Sequence, residues 1–173
     1  MMIGLPRGTV KLVPYQEQWK VLFEAEARSL RSLMGDAALN IEHIGSTALP
    51  GMWAKPIIDL MVAVDDLDGA RVWFGDLETL GYEFRPDVEP PDRLFFAKGE
   101  RALRTHHLSL ARTDSDFYFE KMAFRDHLCS DSSAFEEYKE LKMRLAERFP
   151  DDRKRYTDGK EAFVHEILAL AEK

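Results

Sequence analysis

The segment from His43 to Val64, HIGSTALPGMWAKPIIDLMVAV, constrains the fold of this 173-residue chain more than any other stretch. It includes the end of one predicted strand, Asn40 to Ile44, and a second strand, Ile57 to Val64, after a loop rich in proline and glycine. Because side chains alternate across a strand, Asp59 lies opposite the apolar face of the second strand. That apolar face consists of Ile58, Leu60, Val62 and Val64. The segment therefore predicts two strands of one sheet, with a carboxylate on the other face of the second strand.

The turn Gly45-Ser46-Thr47 between these strands has the features of a phosphate-binding loop. Glycine adopts backbone angles that other residues avoid, and two hydroxyls lie beside exposed backbone amides, which suits an anion. Lys55 stands at the mouth of the second strand, where its ammonium either meets phosphate oxygens or remains a solvated surface group. His43 precedes the turn and either orients it or contacts the ligand. We therefore expect His43, Gly45, Ser46, Thr47 and Lys55 to belong to a phosphate site.

Helical and strand patterns follow one another along the chain in an order typical of the α+β class. Apolar spacing predicts helices at 16–34 and 69–80, a weak strand or an extended arm at 9–13, a strand at 82–85 and a hairpin of 93–97 and 104–111. From residue 116 the pattern is helical, with helices at 117–129, at 133–149 capped by Ser132, and at 159–171. We expect one domain over residues 1–173: a small mixed β-sheet flanked by helices at about 9–112, then a C-terminal helical segment at about 116–173.

Charge and cysteine content exclude several classes of protein. The chain has 24 Lys and Arg against 31 Asp and Glu, a net charge of −7, so general nucleic-acid binding through phosphate neutralisation is not expected. A single cysteine, Cys129, forms no internal disulfide and is typical of a reducing compartment. No apolar run reaches the ~18 residues of a membrane span, and the N-terminus lacks a signal peptide. We expect a cytoplasmic protein that binds no membrane. Its oligomeric state stays open.

A Gly-Ser pair, a loop and then Asp59 within an apolar strand resemble the signature of nucleotidyltransferases with a DNA polymerase beta-like fold. With Lys55-Pro56 included, the segment is similar to the GrpB family, a branch of that superfamily. The similarity continues through Gly81-Tyr82, Arg93 to Phe96, His107-Leu108, Phe124-Arg125-Asp126, Tyr138, Leu141-Lys142, Tyr156-Thr157 and Lys160. The resemblance implies a nucleotidyltransferase-like fold that binds a nucleotide or coenzyme. GrpB domains also occur fused to dephospho-CoA kinases, so it implies adenine nucleotides or coenzyme A precursors as ligands.

The chemistry that the resemblance implies centres on Asp59. The superfamily holds divalent metal with an Asp-x-Asp pair, but the second position here is Met61, whose thioether is a poor ligand for magnesium. His107 is the other candidate, as metal ligand or acid/base group, whereas His106 faces the opposite way and is expected to be structural. We therefore predict weak binding of one Mg²⁺ or Mn²⁺ ion through Asp59 and His107, which are also the catalytic candidates. Metal-dependent nucleotidyl transfer with this incomplete acid set, and a catalytically silent binding module linked to coenzyme A metabolism, both stay open.

Four cations and one tyrosine complete the set of candidate ligand-binding residues. Arg93 opens the predicted hairpin, while Arg125 and Lys142 lie in the helical segment and are candidates for reaching the cleft. Tyr156 and Lys160 precede a predicted helix, whose N-terminus favours anions. Most other basic residues of the helical segment are expected on a solvated face. The sequence does not match a P-loop, and the turn lacks the glycine spacing of a nucleophile elbow.

Overall fold

Within residues 3–6, 8–88 and 92–171, which the computed structural model describes, five strands form one mixed sheet. The strands are β1 (Asn40–Ile44), β2 (Ile58–Val64), β3 (Tyr82–Phe84), β4 (Arg93–Lys98) and β5 (His106–Arg112). Their order across the sheet is β1-β2-β5-β4-β3; β2 and β5 are parallel, and the other neighbouring pairs are antiparallel. The first residues of β2 and β5 therefore meet at the same end of the sheet.

Six α-helices pack against this sheet or against one another in the described part of the chain. They are α1 (Gln18–Met34), α2 (Phe74–Thr79), α3 (Asp116–Ser130), α4 (Ser132–Arg148), α5 (Arg153–Asp158) and α6 (Glu161–Ala171). Not one of these helices is both long enough and apolar enough to cross a membrane. The predicted α+β class, with a mixed sheet and a C-terminal helical segment, is confirmed.

One face of the sheet carries the main hydrophobic core, as the alternation along β2 predicts. α1 covers this face with Trp19 and Leu30, and α2 contributes Leu77. Burial of each large apolar side chain stabilises the fold by about 1.5–3 kcal/mol. A slip of β2 by one residue would turn its apolar side chains to the wrong face, so this core holds the strand in register. The β2 residues in the core are Ile58, Leu60, Val62 and Val64.

The opposite face of the sheet lies against the helical segment. Met61 packs there with Ile44, Ala111 and Phe117, the last of these on α3. A further apolar cluster joins the segment 49–52, which follows the Gly-Ser turn, to the helices; it contains Leu49, Met52, Leu128, Tyr138, Phe163 and Ile167. The helices α3, α4 and α6 are thereby anchored over the sheet face that carries Asp59.

Two elements in the first half of the chain differ in part from prediction. Residues 9–13, predicted as a weak strand or an extended arm, form no strand, and Val13 makes only an isolated bridge with Ala54. The predicted helix at 69–80 is a 3-10 helix, Gly69–Trp73, followed by the short α2. Its start is set by Asp66, whose carboxylate accepts a 2.5 Å hydrogen bond from the Gly69 amide.

Two helix boundaries near the end of the chain also differ from prediction. Asp131 caps α4 instead of Ser132, because its carboxylate accepts hydrogen bonds from the backbone amides of Ser133 and Ala134. The predicted helix at 159–171 corresponds to α6, which begins at Glu161, and a separate short helix that was not predicted, α5, precedes it. Asp152 caps α5 by accepting a hydrogen bond from the Arg155 amide. This additional helix places residues 153–158 beside the sheet end where β2 and β5 begin.

Candidate functional site

The parallel pairing of β2 with β5 brings Asp59 beside His107. The two residues are register partners, and His107 Nδ1 lies 2.9 Å from Asp59 Oδ1. Burial acts to raise the pKa of Asp59, but the hydrogen bond from His107 and the nearby positive charges outweigh it and hold the pKa below its ordinary value. An ionised carboxylate only accepts hydrogen bonds, so His107 Nδ1 is the donor of this bond. The sequence prediction that both residues share one sheet face is confirmed.

Gly45 passes directly over the Asp59 carboxylate. Its backbone has φ 72° and ψ −176°, a conformation that is close to glycine-only. A Cβ atom added to this residue would lie 2.6 Å from Asp59 Oδ2. The register explains this closeness, since Ile44 pairs with Asp59. Glycine at position 45 therefore allows the turn to begin against the carboxylate.

Gly45→Ala is expected to lower the free energy of unfolding by about 1–3 kcal/mol through backbone strain, and to push Asp59 away from His107. Urea denaturation measures the loss. Gly35→Ala is the matched control, because Gly35 also has a positive φ, 55°, but its added Cβ would meet no atom within 4 Å. Equal losses in the two variants would show that the approach of Gly45 to Asp59 adds no constraint.

His43 supports the turn through Thr47. The buried Thr47 hydroxyl donates a 3.3 Å hydrogen bond to the Ile57 carbonyl oxygen, so it accepts one from His43 Nε2 at 3.0 Å. Burial lowers the pKa of His43 to about 4, which keeps the ring neutral at pH 7. The ring also stacks on Phe23, with centroids 4.6 Å apart. Of the two roles left open for His43, orientation of the turn is the one that these contacts support.

Lys142 lies behind the turn rather than in open solvent. Its Nζ donates to the Trp53 carbonyl oxygen at 2.5 Å and lies 2.9 Å from Ser46 Oγ, although α4 is far away in sequence. Only 1% of Lys142 is exposed. Burial, together with the positive charges of Lys160 and Lys55, lowers the pKa of Lys142 to about 6. The structure thus brings this candidate to Ser46, which itself faces the cleft.

Lys55 and Lys160 lie close to the ring of Tyr156. Their Nζ atoms are 5.5 Å and 4.6 Å from its centroid. Burial and the charge of Arg153 lower the pKa of Lys55 to about 8, while burial and the charges of Lys55 and Lys121 lower the pKa of Lys160 to about 7. The sequence predicts both residues before a helix. Lys160 directly precedes α6, whereas Tyr156 lies within α5. The two ammonium groups therefore repel one another in a half-buried position.

Two arginines, Arg93 and Arg125, also line this site. Arg125 donates a 2.8 Å hydrogen bond to Glu42 Oε2, which connects α3 to β1. Arg93 donates a 3.0 Å hydrogen bond to Ser109 Oγ, and its guanidinium lies 4.4 Å from the centroid of the Phe117 ring. Both guanidinium groups are held by protein contacts while they also line the cleft between the sheet and the helices.

One cleft of about 840 Å³ separates the sheet from the helical segment and collects most of these residues. Of the candidates predicted from the sequence, His43 and Lys142 are not among its lining, and each contacts a residue that is. Basic side chains outnumber acidic ones in the described lining, although the chain as a whole is acidic. The basic residues are Lys55, Arg85, Arg93, Arg104, Lys121, Arg125, Arg153 and Lys160, against Asp59, Asp87, Glu120 and Glu161.

The family model described as GrpB protein matches residues 9–170. The chain belongs to the GrpB family. The glutamate-rich protein GrpB of Alkalihalophilus pseudofirmus is 37% identical and is matched over 96% of this chain and 98% of its own length. The crystal structure of the conserved protein GrpB from Enterococcus faecalis has a TM-score of 0.85 and 33% identity, and covers 93% of this chain and 96% of its own. The predicted family is confirmed.

Two further similarities are partial. A dephospho-CoA kinase of Mycolicibacterium paratuberculosis is 34% identical over 95 residues, which is 51% of this chain and 23% of the kinase. The Cid1 poly(U) polymerase matches 75% of this chain and 45% of its own, with a TM-score of 0.42 and 13% identity. A structural similarity with so low a TM-score and identity carries no information about activity.

The site of this GrpB chain offers few metal donors. Across the described residues, no group of three or more His, Cys, Asp or Glu side chains is placed to hold an ion. Asp59 and His107 are hydrogen-bonded to each other, and Met61, two residues along β2 from Asp59, is fully buried against Ile44 and Phe117. The donors present therefore do not fit a tightly held divalent ion, which needs about six oxygen ligands.

Four basic residues of the cleft were not predicted from the sequence, and Lys121 and Arg153 are two of them. The Lys121 Nζ lies 5.3 Å from the Phe117 ring centroid, and burial with the charge of Arg93 lowers the pKa of Lys121. A signal was present, because Lys121 precedes Arg125 by one helical turn and shares its face of α3. Arg153 belongs to the basic run that the sequence assigns to a solvated face; α5 turns it toward the cleft.

Proposed function

We propose that this GrpB chain binds a phosphate-bearing nucleotide or coenzyme in the cleft between the Gly45-Ser46-Thr47 turn and the helices. The supporting observation is the concentration of basic side chains around one cleft of an acidic protein. The cleft holds the amines of Lys55 and Lys160, whose pKa values are lowered first by burial and then by neighbouring positive charges. An anion bound between them relieves that repulsion and favours their protonated forms.

Phosphate suits this arrangement better than a single carboxylate does. A phosphate group offers three acceptor oxygens, and charge-assisted hydrogen bonds from lysine and arginine are roughly twice as strong as neutral ones. The cations stand on different elements: Lys55 precedes β2, Arg125 is on α3 and Lys160 precedes α6. A ligand with several phosphate oxygens would contact more than one of these elements at once. Coenzymes and nucleotides with two or three phosphates fit that requirement.

The similarity to part of a dephospho-CoA kinase supports an adenine nucleotide or a coenzyme A precursor as the ligand class. The matched portion covers about half of this chain, so the proposal concerns the ligand and not the kinase reaction. Mass spectrometry of small molecules that co-purify with the protein is the test. We expect a phosphorylated adenine compound, and thermal stabilisation by ATP, ADP, dephospho-CoA or coenzyme A. Absence of both the compound and the stabilisation would overturn the proposal.

Two activities remain candidates for the bound state. One is metal-dependent nucleotidyl transfer, and the other is ligand binding without turnover, with the signal passed to a partner. The scarcity of oxygen donors around Asp59 favours the second. Pyrophosphate release from a panel of nucleoside triphosphates with Mg²⁺ or Mn²⁺ distinguishes them, because ligand binding without turnover produces none.

Metal binding through Asp59 and His107 is expected to be weak and limited to one ion. If His107 joins Asp59 as a ligand, manganese or another metal that tolerates imidazole is expected to bind more tightly than magnesium does. Asp59→Asn keeps the shape and removes the charge, so any metal dependence of ligand binding should disappear. Calorimetric titration of both metals into the wild type and the variant measures this. Robust magnesium-dependent turnover by the wild type would show that another carboxylate completes the site.

A further inference from the structure

Lys142 is buried in direct contact with the Ser46 hydroxyl, an arrangement that ligand binding alone does not require. Ser46 is half-buried and lines the cleft, whereas Lys142 lies directly behind it with 1% of its surface exposed. The distance from Lys142 Nζ to Ser46 Oγ is 2.9 Å. The hydroxyl is thus open to a ligand on one side and in contact with an amine, shielded from water, on the other.

The surroundings of Lys142 favour a neutral amine. Among the described residues no carboxylate forms an ion pair with it, and the charged groups that act on it are Lys55 and Lys160, both of which oppose protonation. Its Nζ donates to the Trp53 carbonyl oxygen and lies 4.9 Å from the centroid of the Tyr138 ring. Lys142 Nζ also donates to Ser46 Oγ in the protonated form, and in the neutral form its lone pair faces the same oxygen and can accept the hydroxyl proton.

We propose that Ser46 is a nucleophile activated by Lys142 as general base, and that it attacks the phosphorus of a phosphoanhydride bound in the cleft. Ser46 Oγ forms a bond to phosphorus while the bridging P–O bond breaks. The leaving phosphate takes the bonding electron pair, and the hydroxyl proton passes to Lys142 Nζ. The product is a phosphoester on Ser46. The leaving anion departs next to Lys55 and Lys160, whose positive charge stabilises it.

This activity differs from the proposed binding function and from two-metal transfer. In binding alone, Ser46 would be a hydrogen-bond donor to phosphate, and Lys142 would be a structural contact for the Trp53 carbonyl. A nucleophilic serine next to a desolvated lysine is instead a known solution to serine activation on unrelated folds. It also fits a site with few metal donors, since the base is supplied by the protein.

A fluorophosphonate probe tests the pair without knowledge of the natural ligand. Attack by Ser46 Oγ forms the O–P bond, fluoride leaves with the electron pair of the P–F bond, and the proton goes to Lys142. Peptide mass spectrometry after labelling is expected to find the adduct on Ser46 and not on Ser133, an exposed serine at the start of α4. Ser46→Ala should abolish the adduct. No adduct on Ser46, or labelling no faster than on Ser133, would overturn the proposal.

Two variants separate a general base from a structural contact. Lys142→Met removes the amine, and Lys142→Arg keeps hydrogen-bond donors and positive charge but cannot accept a proton. Each is expected to lower the labelling rate of Ser46 by at least ~100-fold, the lower range for loss of a general base. Thermal unfolding shows whether each variant is folded under the assay conditions. Near-wild-type labelling in the folded Lys142→Arg variant would contradict the role of Lys142.

The pH dependence of Ser46 labelling distinguishes a general base from a lysine with only a structural role, since titration of a structural lysine would not change the labelling rate. Labelling of the wild type is expected to rise with pH as the amine loses its proton, with the midpoint close to the pKa of Lys142, about 6. Lys55, Lys160 and Tyr138 also face this amine, but their pKa values of about 8, 7 and 12 place their own titrations later. A profile without the step near pH 6 would contradict the assignment. This result is independent of whether nucleotides bind, so it can fail while the proposed function stands.

Discussion

Lys142→Met is expected to raise the free energy of unfolding at pH 7. Burial, with the charges of Lys160 and Lys55, lowers the pKa of Lys142 from its ordinary value of 10.5 to about 6 in the folded protein. Holding the group at the lower value costs about 3–5 kcal/mol at pH 7. Methionine removes that cost but leaves the Trp53 carbonyl without its donor, a loss of about 1–3 kcal/mol. The net gain is about 2 kcal/mol, measured by urea denaturation.

The sign of this effect depends on pH in a defined way. Between about pH 6 and 10.5 the unfolded chain binds one proton more at Lys142 than the folded chain does, so wild-type stability rises with pH in that window. The variant lacks this rise. The stability of Lys142→Met relative to the wild type is therefore greatest at pH 6 and below. Near pH 10 the variant is the less stable protein, because the Trp53 carbonyl still lacks its donor and the wild type no longer bears the cost of the lowered pKa.

Lys139→Met is the matched control for this series. Lys139 is one turn earlier on α4, and its ammonium pairs with Glu136 at 2.9 Å. Its replacement is expected to change stability by less than about 1 kcal/mol and without the same trend in pH. A Lys142→Met variant that is less stable than the wild type at every pH would contradict the account of Lys142 as a costly buried amine.

Lys55→Met and Lys160→Met are each expected to weaken ATP binding by tenfold to about a hundredfold. Hydrogen bonds to charged groups contribute about 1.5–3 kcal/mol, and each 1.4 kcal/mol is a factor of ten in affinity. The loss should appear in calorimetric dissociation constants. Lys154→Met is the control, since Lys154 is an exposed lysine of α5 that pairs with Asp158 and does not line the cleft.

The wild-type affinity is also expected to fall as pH rises from 7 to 9. In the free protein the pKa of Lys160 is about 7 and that of Lys55 about 8, so both lose their protons over this range. An anion stabilises the protonated forms, and binding at pH 8 should therefore take up protons. Calorimetry in buffers of different ionisation enthalpy measures that uptake. An affinity that does not change over this range would remove these lysines from the binding site.

Local patterns were sufficient to predict the sheet face that carries the site. The alternation along β2 separates Asp59 from the core residues Ile58 and Leu60, and the same rule places His107 with Asp59 and His106 on the buried side. His106 is indeed 7% exposed. These predictions succeed because a strand has a strict period of two and one face of this sheet is apolar.

Contacts that join distant elements could not be predicted in the same way. Ser46 and Lys142 are 96 positions apart, and no local pattern indicates that α4 places an amine behind the turn. The α5 helix was missed because its sequence is almost entirely polar and it is only six residues long. Its Tyr156 is buried against the cleft lysines, so its orientation depends on tertiary packing rather than on helical periodicity.

Calorimetric titration of the wild-type protein with ATP and, separately, with adenosine tests the central claim most directly. Both ligands carry the same base and sugar, so the difference between them isolates the phosphates. The basic cleft around Lys55, Arg125 and Lys160 predicts that ATP binds measurably and that adenosine binds at least ~100-fold more weakly, since several charge-assisted hydrogen bonds are absent. Equal binding of the two ligands, or binding of ATP that survives replacement of both Lys55 and Lys160, would contradict the account.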